Sequence, residues 1–313
     1  MGRFLFIRGG AVGDFILTMP AIQLVREGLP DNEIEVLGYP AITELALRSG
    51  LVDQTRSIED ARLAQFFAPG AKLDEEWCRY FASFNVVVSY LYDPDEFFAN
   101  NLKKAGVKTL LTGPFRPLEA DPPIPAAVQL AKPLERFALY LDTPSLVIDP
   151  SRFDSPELPE PGPGPRIAIH PGSGSASKNW SFEAWVEVLG AIHEKHESSE
   201  FLVTSGEAER ELIDDFLTLL NERGLPFHHL SEATLPQLAA AFSTADYYLG
   251  HDSGVSHLAA LAKVPGLILF GPSHEPTWKP MGSHLRTVLA PQGNLGFLKP
   301  AKVLEEIELF TRS

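Results

Sequence analysis

Residues 247–270, YYLGHDSGVSHLAALAKVPGLILF, contain two apolar runs separated by a polar turn and a stretch of small apolar residues. The runs Tyr247–Gly250 and Gly266–Phe270 predict short buried strands, and Val255–Ala262 predicts a helix between them. Because parallel strands need a long crossover connection, a strand–helix–strand order favours a parallel sheet. This stretch therefore predicts an α/β fold.

The rest of the chain repeats this alternation of short β-rich runs with longer helical segments. The other predicted strands are Phe4–Arg8, Glu33–Leu37, Val86–Tyr90, Lys108–Leu111, Arg166–His170 and Phe201–Thr204. The other predicted helices are Phe15–Glu27, Ile42–Ser49, Asp95–Ala105, Ala126–Tyr140, Phe182–His196, Ala208–Arg223 and Leu235–Phe242. His228 and His229 fit a loop or an edge strand equally well.

A proline- and glycine-rich segment, PELPEPGPGP at residues 156–165, predicts an extended linker, since five prolines in ten residues exclude a helix or a central strand. We therefore predict a first domain at 1–150, a linker at 151–165 and a second domain at 166–300. Residues 301–313 are predicted to form a terminal helix that packs back on the first domain. Its apolar residues, Val303, Leu304, Ile307 and Phe310, have helical spacing.

Composition excludes several classes of function. The chain has 313 residues, one cysteine and a formal net charge of −15. A single cysteine excludes an intrachain disulfide and a cysteine-based metal cluster. The negative charge disfavours nucleic-acid binding and weakens attraction to anionic lipid. No run approaches about 20 apolar residues, so we expect at most peripheral contact with a membrane.

A glycine-rich turn follows the first predicted strand in residues 8–20, RGGAVGDFILTMP. The glycines, Gly13 among them, let a ligand approach the backbone closely. Asp14 lies near a helix start, at the carboxyl end of a strand, where open α/β sheets bind ligands. It suits a general base that takes a proton from a hydroxyl, and it equally suits a helix N-cap.

A second glycine- and serine-rich loop follows the strand Arg166–His170, in residues 170–180, HPGSGSASKNW. Ser173, Ser175 and Ser177 would offer hydroxyl donors and exposed backbone N–H groups, which suit a diphosphate. Lys178 would add a positive charge. A plain strand–helix turn with a solvated lysine is the alternative, and Ser181 is the predicted N-cap of the next helix.

The motif GHDSGVSH, residues 250–257, is the most specific of the chain. Backbone N–H groups of Ser253 and Gly254 at the start of the helix can hold a phosphate without a metal. His257, one turn along, either faces that ligand or is a satisfied core histidine. Asp252 would repel a phosphate, so it suits a contact with a sugar or an amide, or a simple cap.

A weaker feature is TSGEAER, residues 204–210. Glu207 follows a predicted strand and a glycine, where a carboxylate can hold two ribose hydroxyls. The alternative is a first-turn glutamate that favours the helix dipole.

Taken in order, these four motifs resemble those of the heptosyltransferases, glycosyltransferase family 9. The resemblance implies the GT-B fold, in which two Rossmann-like domains with parallel sheets face each other across a cleft. It implies inverting transfer, without a metal or other cofactor, from an ADP-sugar or another nucleoside-diphosphate sugar. The acceptor would be a lipopolysaccharide core or a related glycan or glycolipid, and the protein would be cytoplasmic, with peripheral contact at the inner membrane.

The resemblance also assigns roles to residues. Asp14 would be the catalytic base. Ser173, Ser175, Ser177 and Lys178 would hold the donor diphosphate with the helix start at Ser253, Gly254 and His257. Glu207 would bind ribose and Asp252 the donor sugar. Arg8 and Gly13 are weaker candidates for the acceptor side.

Two other functions fit the same sequence: a sugar-nucleotide epimerase of this architecture and a non-catalytic nucleotide-sugar-binding protein. The chain also departs from the family at residues 86–97, VVVSYLYDPDEF. There the family commonly carries an Asp followed by a turn with Gln and Gly, so the acceptor stays open.

Overall fold

The computed structural model describes the backbone of residues 2–311 and the side chains of residues 2–307. The chain forms two units, Met1–Leu146 and Val147–Ser313. The division lies a few residues before the boundary predicted at 150.

The first domain contains a five-stranded parallel sheet. Its strands are β1 (Arg3–Arg8), β2 (Glu33–Gly38), β3 (Gln54–Ser57), β4 (Val86–Ser89) and β5 (Leu110–Thr112). Its helices are α1 (Val12–Gly28), α2 (Pro40–Arg48), α3 (Glu75–Ala82), α4 (Phe97–Lys104) and α5 (Ala126–Ala131). The strand order is β3-β2-β1-β4-β5, with Phe4 beside Ile34 on one side and beside Val86 on the other.

The second domain contains a six-stranded parallel sheet. Its strands are β6 (Arg166–His170), β7 (Glu200–Ser205), β8 (Phe227–Ser231), β9 (Tyr247–His251), β10 (Gly266–Phe270) and β11 (Leu285–Leu289). Its helices are α6 (Phe182–Lys195), α7 (Ile213–Glu222), α8 (Leu235–Phe242), α9 (Gly254–Leu261), α10 (Glu275–Trp278) and α11 (Pro300–Thr311). The strand order is β11-β10-β9-β6-β7-β8.

Each sheet therefore reverses its winding direction once. The reversal lies between β1 and β4 in the first domain and between β6 and β9 in the second, which is the Rossmann arrangement. The central strands are buried along their length because helices cover both faces of a parallel sheet. Ligands of such sheets bind outside the carboxyl ends of the strands at the reversal.

The structure corrects several predicted elements. The strands β3 and β11 and the helices α3 and α10 were not predicted, and β8 resolves His228 and His229 as part of a strand. The helix predicted at Ala126–Tyr140 stops at Ala131 and continues as a 3-10 helix, Lys132–Phe137. Pro133 has no N–H to donate, which explains the change.

The proline- and glycine-rich segment is grouped with the second domain. Arg166 Nη2 donates to the carbonyl of Pro159 at 2.7 Å, and the N–H of Gly162 lies 3.4 Å from Glu200 Oε1. Phe153 is buried. Residues 151–165 are thus anchored to the second domain by specific contacts.

The terminal helix α11 contacts α6 and β10, and Val303 and Ile307 lie in the core of the second domain. The side chain of Phe310 and all of residues 312–313 lie outside the described residues. The packing on the first domain stays a prediction. Among residues 2–311, no helix is both long and apolar enough to cross a bilayer.

Candidate functional site

Asp14 lies in the first turn of α1, directly after β1. The helix begins at Val12 with Ala11 as its N-cap, so the N-cap interpretation of Asp14 was wrong. Asp14 is the third helical residue, and its Oδ2 accepts the N–H of Ala11 at 3.1 Å. This is the reciprocal half of a capping box. The side chain remains 36% exposed, so a solute can reach the carboxylate.

Arg8 is the buried partner of that carboxylate. Its Nη2 lies 3.4 Å from Asp14 Oδ1, while Nη1 donates to the carbonyls of Phe115 at 2.9 Å and Tyr90 at 3.3 Å. Burial lowers the pKa of Arg8, and the charge of Asp14 opposes that effect. Arg8 therefore ties the loops after β4 and β5 to the end of β1. Only its Nε has no hydrogen-bond partner among the described residues.

The absence of a side chain at Gly10 leaves space for the Asp14 carboxylate. The φ of Gly10, +98°, is a left-handed conformation that side chains rarely adopt, and a Cβ there would lie 2.8 Å from Asp14 Oδ2. Gly13, the other predicted residue of this loop, lies in the first turn of α1 beside Asp14. The glycine loop thus has a steric role that the sequence indicated.

The serine loop after β6 is held partly by its own hydrogen bonds. Ser173 is buried, and its Oγ lies 2.9 Å from the carbonyl of Ser175 and 2.7 Å from Asn179 Oδ1. Ser175 and Ser177 are exposed, with their Oγ atoms 3.0 Å apart. Ser173 therefore shapes the loop, and the other two hydroxyls stay accessible. The predicted cap is confirmed, since Ser181 Oγ accepts the N–H of Ala184 at 3.2 Å.

Lys178 and Asp252 form an ion pair across 74 residues of sequence. Lys178 Nζ lies 2.6 Å from Asp252 Oδ2, with the lysine side chain 33% exposed and the aspartate 6%. Asp252 follows β9 and Lys178 follows β6, so the pair marks the reversal point of the second sheet. The solvated-lysine alternative is therefore wrong, and Asp252 is not the helix cap.

The start of α9 lies next to this pair. Ser253 is the N-cap, but its side chain makes no capping bond, and its buried Oγ has no hydrogen-bond partner among the described residues. The first-turn N–H groups, beginning with Gly254, have no partner within a helix. His257 is buried. Unsatisfied donors at a helix start are the groups that bind an anion.

The turn after β7 holds two glutamates in different environments. Glu207 is exposed, whereas Glu209 is buried, accepts the N–H of Gly206 at 2.9 Å and lies 3.6 Å from His170 Nε2. Glu209 Oε1 has no hydrogen-bond partner within the described side chains. Burial lowers the pKa of His170, and Glu209 opposes the shift. The residues Glu207–Glu209 form a 3-10 turn, so α7 starts later than predicted.

His251 is a structural residue that sequence reasoning missed. It is fully buried, and its Nε2 accepts the N–H of Trp180 at 2.8 Å and lies 3.3 Å from Trp185 Nε1. Burial lowers its pKa to about 3, so the ring is neutral at physiological pH. His251 therefore fastens the end of the serine loop to β9, beside Asp252. Its position directly before the Asp252–Gly254 motif was the available signal.

Within residues 2–307, no group of three or more His, Cys, Asp or Glu side chains is arranged to hold a metal ion. The metal independence that the family resemblance implies stays a prediction.

Sequence comparison identifies related proteins across most of the chain. A family model described as glycosyltransferase family 9 (heptosyltransferase) matches residues 127–306. Lipopolysaccharide heptosyltransferase 3 of Escherichia coli is 23% identical over 303 residues, covering 87% of this chain and 84% of that protein.

Solved structures confirm the predicted pair of parallel α/β domains of GT-B type. A family 9 glycosyl transferase of Veillonella parvula has a TM-score of 0.79 at 16% identity, covering 100% of this chain and 98% of that one. The E. coli heptosyltransferase WaaC with ADP has a TM-score of 0.74 at 17% identity, covering 98% and 99%. At such identities the likeness shows the fold alone.

Proposed function

The chain belongs to glycosyltransferase family 9, the heptosyltransferase family, and from this membership we propose that it transfers a heptose from an ADP-linked donor. The acceptor is a lipopolysaccharide core or a related surface glycan, met at the cytoplasmic face of a bacterial inner membrane. The transfer inverts the anomeric centre and needs no metal. Because this is a family of glycosyltransferases, membership favours glycosyl transfer over the two alternatives, an epimerase and a non-catalytic binding protein.

Asp14 is the proposed base of this reaction. An acceptor hydroxyl attacks the anomeric carbon of the donor as its proton passes to the Asp14 carboxylate. The bond between that carbon and the diphosphate oxygen breaks, and the nucleoside diphosphate leaves with the electron pair. The exposed carboxylate, held in orientation by the Ala11 N–H and by Arg8, supports this role.

The leaving diphosphate is the proposed ligand of the second domain. The observation that carries this proposal is the Lys178–Asp252 pair at the start of α9. Lys178 and the helix N–H groups would stabilise the negative charge that develops on the diphosphate, the role that Mg²⁺ has in other transferases. Ser253 Oγ, buried without a partner among the described residues, would donate to the same oxygens.

Asp252 and Glu207 complete the proposed donor site. When a diphosphate takes Lys178, Asp252 Oδ2 becomes available to a hydroxyl of the donor sugar. Glu207 remains the proposed ribose ligand because its carboxylate is exposed, whereas Glu209 is buried and holds the turn. In E. coli WaaC a structure with ADP is known, which favours adenine among the nucleotide bases.

Isothermal titration tests the proposal. The protein is titrated with ADP, GDP, UDP and dTDP, with and without EDTA. We expect selective binding of ADP that EDTA does not change. Replacing Lys178 with Ala should weaken ADP binding about tenfold or more, as the loss of a charged hydrogen bond would. The exposed Lys195, on α6, is the control for a Lys→Ala change.

Two results would contradict the proposal. If none of the four nucleotides binds, the proposed donor site is wrong. If ADP no longer binds in EDTA, the proposed metal independence is wrong. The configuration of the product, read from the coupling of its anomeric proton by NMR, tests inversion separately.

A further inference from the structure

Exposed aromatic side chains are grouped at the carboxyl edge of the first sheet. Tyr39 follows β2, Tyr92 follows β4 and Phe115 follows β5, and they are 41%, 67% and 46% exposed. Because the strands are parallel, the loops after them lie at one edge of the sheet. Large aromatic side chains exposed together are uncommon unless they bind something.

The loop that carries Phe115 is connected to Asp14 through Arg8. The rings of Tyr92 and Phe115 pack with their centroids 5.5 Å apart. Arg8 binds the backbone carbonyl of Phe115 with Nη1 and lies 3.4 Å from Asp14 with Nη2. Gly9 is bordered by Leu91 and Tyr39 at the same edge. The aromatic pair therefore belongs to the surroundings of the proposed base.

The charges of the loops at this edge are mostly negative. In the loops after β3, β4 and β5 the cations are Arg62, Lys72 and Arg116, and Arg62 is already paired with carboxylates. The carboxylates of these loops are Glu59, Asp60, Asp74, Asp93, Asp95, Glu96, Glu119 and Asp121. Lys103 and Lys104 lie in the last turn of α4, which leads to the start of β5, at the opposite edge. Arg8, the cation beside Asp14, is buried and already faces that carboxylate and two backbone carbonyls. The surrounding carboxylates would therefore repel a phosphorylated sugar.

An open groove of about 460 Å³ in the same domain is a second place where an anionic acceptor could bind. It contains Arg62, Lys72 and Arg79, but also three carboxylates, Asp74, Glu75 and Glu76. Arg62 is bound to Asp60 at 2.6 Å and to Glu76 at 2.7 Å. The groove is therefore close to neutral, and Arg62 is already paired with two carboxylates.

We propose that the acceptor is an uncharged sugar, whose ring stacks on the Tyr92–Phe115 pair while one of its hydroxyls meets Asp14. A sugar ring presents C–H groups on its faces, and these are attracted by the negative face of an aromatic ring. Phosphate groups are repelled both by the carboxylates and by those ring faces. This assignment rests on the proposed glycosyl transfer and names the class of its acceptor.

The test compares two forms of one acceptor. A deacylated heptose-containing core oligosaccharide is used with its phosphates intact and after chemical dephosphorylation. With ADP-heptose as donor, we expect kcat/KM to be about tenfold higher for the dephosphorylated form. Its KM should change less than about twofold between low and physiological salt, because screening acts on charges.

Variants separate stacking from folding. Tyr92→Ala and Phe115→Ala should each raise the acceptor KM about tenfold while kcat and ADP affinity stay within about twofold. Tyr140→Ala is the matched control: this ring is 60% exposed, but it follows the 3-10 helix that packs against the start of β1. It should change none of these values.

Outcomes that overturn the inference differ from those that overturn the function. Binding of both oligosaccharides to the protein with ADP is followed by saturation-transfer NMR, which needs no turnover. Preference for the phosphorylated form, or loss of binding in Lys72→Ala or Arg79→Ala but not in Tyr92→Ala, would refute an uncharged acceptor. Failure to bind ADP would instead refute the proposed function.

Discussion

Asp14 combines two roles in one carboxylate. Its Oδ2 closes the first turn of α1 through Ala11, and its Oδ1 faces Arg8. Asparagine keeps an oxygen that can accept the Ala11 N–H but has no basic oxygen for a proton. Asp14→Asn should therefore lower kcat for glycosyl transfer by about 10² to 10⁴, the range for loss of a general base. ADP affinity should stay unchanged, since the nucleotide ligands are proposed on the second domain.

The control for this change is Asp74→Asn, which alters another helix-start aspartate of the same domain. Asp74 accepts the N–H of Trp77 at 3.0 Å and lies 3.7 Å from Arg62. The Asp74→Asn protein should retain transferase activity, and its thermal stability should change by about as much as that of the Asp14→Asn protein. Transfer by the Asp14→Asn protein at the rate of the unaltered protein would remove Asp14 from the chemistry. Both proteins are compared by steady-state kinetics and titration.

At the scale of elements, the loop after β6 and the turn after β7 fit together at Gly172. A Cβ on Gly172 would overlap Cγ and Oε1 of the buried Glu209 side chain. Gly172→Ala should therefore displace the buried carboxylate and reduce the free energy of unfolding by about 1–3 kcal/mol. The same shift should weaken ADP binding, because it moves the loop that carries Lys178. Urea unfolding and titration measure the two effects.

Gly174→Ala is the matched control in that loop. A Cβ on Gly174 would meet no atom of the described residues within 4 Å, and the φ of Gly174 is not in the left-handed region. It should leave stability within about 0.5 kcal/mol. Equal effects of the two changes would mean that backbone freedom, and not the space for Glu209, makes glycine necessary at Gly172.

The strands that the sequence did not predict, β3, β8 and β11, all lie at sheet edges. The central strands β1, β4, β6, β9 and β10 were predicted because burial on both faces requires continuous apolar runs. The edge strand β3, QTRS, has no such run, and its residues are exposed or half-buried. The edge strands β8, FHHLS, and β11, LRTVL, mix polar and apolar residues without strict alternation, so neither has the period of a strand.

At the scale of the whole molecule, the two domains repeat one topology, and each carries its candidate site at the same place, the carboxyl ends beside the winding reversal. The motifs could be assigned to those ends from sequence because each follows a strand, and all strands of a parallel sheet end at one edge. The inward glutamate could not be assigned, since Glu207 and Glu209 share one turn and only packing under Gly172 distinguishes them. The pairing of Lys178 with Asp252 likewise depends on β6 and β9 being neighbours.

The burial of His251 beside Trp180 and Trp185 makes the second domain sensitive to acid. His251 is buried as a neutral ring, and its pKa is about 3, below the value of about 6.5 for an unfolded chain. Between these two pH values the unfolded state binds a proton that the folded state does not. The stabilising effect of the neutral ring is therefore complete above about pH 6.5 and is lost as the pH falls. His170, whose pKa is also lowered by burial, acts in the same direction.

Replacing His251 with Gln tests this linkage, because Gln can accept the same N–H groups without titrating. Between pH 6 and pH 4 the unaltered protein should lose about 1.4 kcal/mol of unfolding free energy per pH unit more than His251→Gln does. Urea unfolding followed by tryptophan fluorescence reports mainly on the second domain, which contains Trp180, Trp185 and Trp278. His196→Gln, at an exposed position, should retain the pH slope of the unaltered protein. Equal slopes of unfolding free energy against pH for the unaltered protein and His251→Gln would contradict this prediction. The His251 ring would then bind a proton in the folded protein, and its Nε2 would not accept the Trp180 N–H that attaches the serine loop to β9.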